Sequence, residues 1–187
     1  MKRSVIGMVL AVLVATAGLA YGKDKPLFGD IPWGSSPTNV VAGMKKVGLF
    51  FEPQAVDDGT LLFSGTMVGE NTKSVAWFTT DKKLLKIVVV LITADDDVIF
   101  AFRKMKATLV GKYGAPDFGG ELFIPPYFNG DGYETQALRL GKAQFFYAWG
   151  DALSLSVTET LTVSVTYESP EWSVELRRKR TTSATAF

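Results

Sequence analysis

From Leu153 to Tyr167 apolar and hydroxyl residues alternate. Leu153, Leu155, Val157, Leu161, Val163, Val165 and Tyr167 share one parity, and Ser154, Ser156, Thr158, Thr162, Ser164 and Thr166 share the other. Side chains leave a strand on its two faces in turn, so this stretch is extended chain with one face in a core and the other wet. Two foldings fit: a hairpin turning at Thr158-Glu159-Thr160, which pairs Val157 with Leu161, or one long strand. Strands usually end by about 10 residues, which favours the hairpin. A sheet with one apolar side follows, and that side needs a cover.

Other segments supply more sheet. Residues 60–68 and 74–80 read as strands separated by Gly69-Glu70-Asn71, and Asp81-Lys82-Lys83 turns the chain into a strand at 84–93. Within the last, the run from Ile87 to Ile92 is apolar on both parities, which predicts an interior strand covered on both faces. Strands are also expected at 135–140 and 143–149.

Two helices fit between them. Ser36 is a good N-cap with Pro37 at N1; Val40, Val41, Met44 and Val47 make an apolar stripe, and Gly48 stops it. Trp33 is expected to pack on that stripe. Thr93-Ala94-Asp95-Asp96 matches a capping box and opens a longer helix, with Val98, Phe102, Met105, Leu109 and Tyr113 on one face. Its acidic start and basic second half suit the helix dipole, and Gly114 and Pro116 end it. The predicted fold is α+β: a mostly antiparallel sheet of six or seven strands with two helices on one face, in the order helix–strands–helix–strands. Each half holds a helix ending in Gly before antiparallel strands, a hint of duplication.

The opening residues have another character. Lys2 and Arg3 precede an uncharged apolar run from Val5 to Ala20, and Ala20-Tyr21-Gly22 presents small residues for cleavage. This predicts a cleavable signal at 1–22 and a periplasmic or extracellular protein; the alternative is an uncleaved anchor, weakened by the glycines and alanines in the run. Residues 23–176 then form one domain, with a basic tail at 177–187 expected to be disordered.

Composition narrows the chemistry. The chain has 20 basic and 19 acidic residues; loss of Lys2 and Arg3 leaves 18 against 19, without the positive surplus of a nucleic-acid binder. There is no cysteine and no histidine, hence no disulfide, thiol nucleophile, imidazole base or usual zinc site. No cofactor, metal or catalytic residue is expected. Asp95-Asp96-Asp97 lacks the alternate spacing of a calcium loop, and Asn129-Gly130-Asp131-Gly132 with Glu134 reads as a turn. A hydrolase built on loop carboxylates, drawn from Asp57, Asp58, Glu121, Asp131 and Glu134, trails the other readings.

The segment 118–133 stands out. Phe118, Phe123, Ile124, Tyr127, Phe128 and Tyr133 lie among Gly and Pro, where a loop is normally polar. Displayed aromatics make binding anchors; folded back, the same rings would complete the core. Phe118, Phe123, Tyr127, Phe128 and Tyr133 are the candidate binding residues. Arg177, Arg178, Lys179 and Arg180 are candidates for peripheral contact with an anionic surface, or form a solvated tail. The small polar residues before Phe187 do not suit an outer-membrane barrel strand.

Pro32-Trp33-Gly34-Ser35-Ser36-Pro37 before one helix and Lys112-Tyr113-Gly114-Ala115-Pro116 after the other resemble small exported bacterial α+β domains of uncharacterised function. The layout resembles envelope domains similar to β-lactamase inhibitor protein, which work by protein–protein contact, although this chain lacks their cysteines. The resemblance implies an exported α+β fold and carries no catalytic residue across. The first expectation is a non-enzymatic binder of an envelope protein, through 118–133 or an open sheet edge. The second is a carrier of an apolar, lipid-like small molecule between the long helix and the sheet, which needs a cavity above about 300 Å³.

Overall fold

The alternating C-terminal stretch is a hairpin in the computed structural model, which describes residues 26–53 and 59–176. The expected signal, Asp57, Asp58 and the tail with Arg177, Arg178, Lys179 and Arg180 lie outside the described residues. In chain order come α1 (Pro37–Lys46), β1 (Leu49–Glu52), β2 (Thr60–Met67), β3 (Glu70–Phe78), β4 (Leu84–Ile92), α2 (Val98–Tyr113) and β5 (Phe118–Phe123). Then follow α3 (Glu134–Arg139), β6 (Ala143–Trp149), β7 (Leu153–Val157) and β8 (Val163–Glu168). Short 3₁₀ turns precede α1 and α2, and 172–176 is helical.

All eight strands form one antiparallel sheet in the order β1-β2-β3-β4-β8-β7-β6-β5. This is an α+β fold with more strands than expected, because the short β1 and the start of the aromatic segment both pair. Outward from the β4–β8 seam the two halves repeat the same order, each a helix followed by four strands. Gly48 and Gly114 close the two helices, both at positive φ (80° and 85°), where a side chain would be strained. The halves differ in one connection: 53–59 joins β1 to β2, whereas the much longer 124–142 joins β5 to β6.

One face of the sheet is the core side. Phe63, Ile87, Val89, Leu91, Phe145, Leu155, Val163 and Val165 are buried there under Val40 and Met44 of α1 and Val98, Phe102, Met105 and Leu109 of α2. Ser36 caps α1, its Oγ accepting from the Asn39 N–H at 3.4 Å, and Trp33 packs against the same cluster.

Several expectations need correction. The hairpin turn is longer than three residues: Val157 pairs with Val163, and Leu161, at φ 57°, folds back into the core. Residues 134–139 are helical rather than extended, since burying the adjacent Ala137 and Leu138 on one side needs a helical turn. The Thr93 capping box does not form: a 3₁₀ turn at Asp95–Asp97 precedes α2 without a side-chain cap, and Thr93 Oγ1 is buried without a partner. Nor is β4 covered on both faces, because Val88 and Val90 are only half-buried and Ile92 is exposed. Among the described residues no helix is long and apolar enough to cross a membrane.

Candidate functional site

The aromatic segment divides into a strand and a braced loop. Its first six residues are β5, at one edge of the sheet, rather than loop. An antiparallel register with β6 sends Glu121 and Phe123 to the helix side, beside Phe145 and Ala143, and Phe118, Gly120 and Leu122 to the open side. At Gly119 (φ 111°) an added Cβ would lie 2.1 Å from Phe146 O, so the strand can approach β6 there only without a side chain.

The loop after β5 is built on its own hydrogen bonds. Asp131 accepts from the backbone N–H of Phe128 at 2.9 Å and of Tyr133 at 2.7 Å, and Glu134 accepts from Gly130 N–H at 2.9 Å. These bonds turn the chain within Asn129-Gly130-Asp131-Gly132 and lead into α3. A longer tie runs to α2: Arg103 donates to Glu121 Oε2 from Nε and Nη2, and Nη2 also reaches Asn129 Oδ1 at 2.7 Å. At the far end of the connection, Arg139 of α3 pairs with Asp95 ahead of α2.

The five candidate aromatics therefore have different fates. Phe123 turns inward, its ring edge-on to Phe145 at 5.5 Å between centroids, and Tyr127 is half-buried. Phe128 and Tyr133 stand 62% and 60% exposed. Phe118 is exposed on the open face, near Phe146 at 6.2 Å, and is not brought beside the loop rings by the strand. Leu122 and Ile124, also exposed, extend the apolar surface. Composition concealed the braces, Arg103, Glu121, Asn129 and Asp131, because the ties of Arg103 span 18 and 26 residues.

Beside Tyr133 lies an open groove of about 580 Å³ lined by Asp96, Ile99, Glu134, Gln136 and Arg139. Under α2 is a smaller, apolar cavity of about 160 Å³, walled by Phe28, Met67, Val89, Met105, Leu109 and Tyr167. Phe102 does not line it, packing instead on Phe145 and Tyr147 with centroids 5.3 and 5.9 Å away. Burial pushes the Tyr167 phenol well above the usual tyrosine range, and neighbouring Tyr113 adds to this.

The candidate carboxylates among the described residues already have partners: Glu121 of β5 holds Arg103, while Asp131 and Glu134, at the start of α3, accept loop amides. Among the described residues no three acidic side chains gather into a metal-binding group. What the arrangement offers is two exposed rings on a hydrogen-bonded loop, next to a polar groove. No protein-family model, curated protein or solved structure matches the chain.

Proposed function

We propose that this is a non-enzymatic exported protein that makes protein–protein contacts in the bacterial cell envelope, with Phe128 and Tyr133 as its anchors. The carrying observation is that both rings stand in solvent on a loop whose turns are already fixed by Asp131 and Glu134. Rigid aromatic anchors dock with little loss of side-chain entropy, and a polar surround excludes water from them. The equivalent connection in the other half, between β1 and β2, is much shorter, so the sheet does not need a connection as long as 124–142. The layout's resemblance to envelope domains that bind proteins supports the same reading. Arg177, Arg178, Lys179 and Arg180 would add peripheral attraction to an anionic membrane surface.

The runner-up is an apolar carrier. The cavity of about 160 Å³ under α2 is about half the smallest volume usual for a ligand pocket, which weighs against it. Native mass spectrometry of protein purified from its own envelope separates the two. A stoichiometric protein partner, lost when Phe128 and Tyr133 are both changed to Ala, is the expected result. A stoichiometric lipid with no protein would transfer the function to the cavity, and neither adduct would sink both readings.

A further inference from the structure

The two edges of the sheet are not alike. β1 has four residues, carries Glu52 and is followed by Pro53, features that discourage a further strand. β5 has six residues, Phe-Gly-Gly-Glu-Leu-Phe, without lysine or proline. Its one charge, Glu121, faces the helix side, where Arg103 holds it. On the open side Phe118 and Leu122 are 72% and 62% exposed. Ile124 N–H donates to Lys142 O at 2.8 Å in continuation of the β5–β6 register. Antiparallel alternation then turns the N–H and C=O of Gly119, Glu121 and Phe123 away from β6, toward the free edge. Such an edge calls for another strand.

We infer that β5 pairs antiparallel with β5 of a second copy of this chain, joining two sheets across a two-fold axis. The occupant follows from the strand's own sequence. Residues facing each other across the axis must lie on the same side of the joined sheet, so an odd position meets odd and an even one meets even. Centring the axis on Glu121 sets two carboxylates against each other, which is penalised. Centring it on Leu122 leaves Phe118 with no strand residue opposite, because β5 ends at Phe123.

Centring it on Gly120 sets Phe118 against the second copy's Leu122 and Leu122 against its Phe118. These even positions are the ones where side chains of facing strands come closest. Gly119 and Glu121 exchange main-chain bonds, and no like charges meet. An isologous contact of this kind closes at two copies.

The test is sedimentation of the mature full-length chain over a range of concentrations. The wild type is expected to dimerise, and Leu122→Lys or Phe118→Glu to weaken self-association roughly tenfold or more, with circular dichroism unchanged. Mixing the two variants should restore a dimer, since Glu at 118 then faces Lys at 122 in one pair while Leu122 faces Phe118 in the other. A wild-type chain that stays monomeric into the high-micromolar range overturns the pairing, as does a dimer that neither variant weakens. Two monomeric variants that fail to combine overturn the Gly120-centred register. Phe128→Ala with Tyr133→Ala should leave the dimer intact, which keeps this result separate from loss of an envelope partner.

Discussion

Arg103 of α2 grips Glu121 of β5 through Nε at 3.0 Å and Nη2 at 2.7 Å, tying the long helix to the edge strand. The carboxylate is mostly sheltered while the guanidinium is partly in solvent, so the pair is worth less than a buried one. Asn129 shares the same Nη2, which makes this tie also the loop's anchor. Arg103→Met should cost about 1–2 kcal/mol in urea unfolding and speed amide exchange between Phe128 and Tyr133. Unchanged exchange there would show that Asp131 and Glu134 hold the loop alone.

Phe128 and Tyr133 contribute to surface rather than core. Changing both to Ser is expected to alter unfolding stability by no more than about 0.5 kcal/mol, while Phe123→Ala, which empties the space against Phe145, costs about 2–4 kcal/mol. Thermal or urea unfolding of the two variants side by side measures the difference.

Two glycines predict opposite signs. A Cβ on Gly65 in β2 would fall 2.1 Å from Gly48 O, so Gly65→Ala must push β2 and the end of α1 apart. A Cβ on Gly111 in α2 meets nothing within 4 Å, and alanine there relieves the entropy cost of a helical glycine. Gly111→Ala should stabilise by about 0.5–1 kcal/mol, and Gly65→Ala should destabilise by more than about 2 kcal/mol. Denaturant midpoints decide both.

Tyr167 sets a limit on alkaline stability. Its phenol ionises in the folded chain only well above the usual tyrosine value, chiefly through burial and then through Tyr113. Above about pH 10 the unfolded chain releases this proton and the native one retains it, so stability falls as pH rises toward the folded value. Below that range the group has no pH-dependent effect. Urea unfolding between about pH 8 and 11 should show a shallower alkaline decline in Tyr167→Phe than in the wild type; equal slopes would place the sensitivity elsewhere.

Much of the fold was legible wherever a local period carried it. The alternation at 153–167 marks a sheet face because strand side chains alternate whatever lies beyond. The stripe Val40, Met44 and the face Val98, Phe102, Met105, Leu109 marked the buried sides of both helices for the same reason. Short segments were less readable. The six residues of α3 are too few to separate the two periods, and the five-residue turn at 158–162 keeps the parity that a three-residue turn would have kept. In the candidate site, the aromatic content of 118–133 was plain, but which rings turned inward was not. Phe123 and Phe128 look alike in sequence; only the register of β5 on β6 sends one to Phe145, while the hydrogen bonds of Asp131 leave the other outside.

The sequence by itself determined which residues can share a face, because backbone geometry fixes the periods 2 and 3.6. It also determined that neither thiol nor imidazole takes part in any site. Only the tertiary structure decided that β4 lies against β8, that β5 is left at an edge, and that Arg103 meets Glu121 and Asn129. Those facts rest on contacts between residues far apart in the chain, whose energies depend on what each surface finds opposite it, and no local period encodes that.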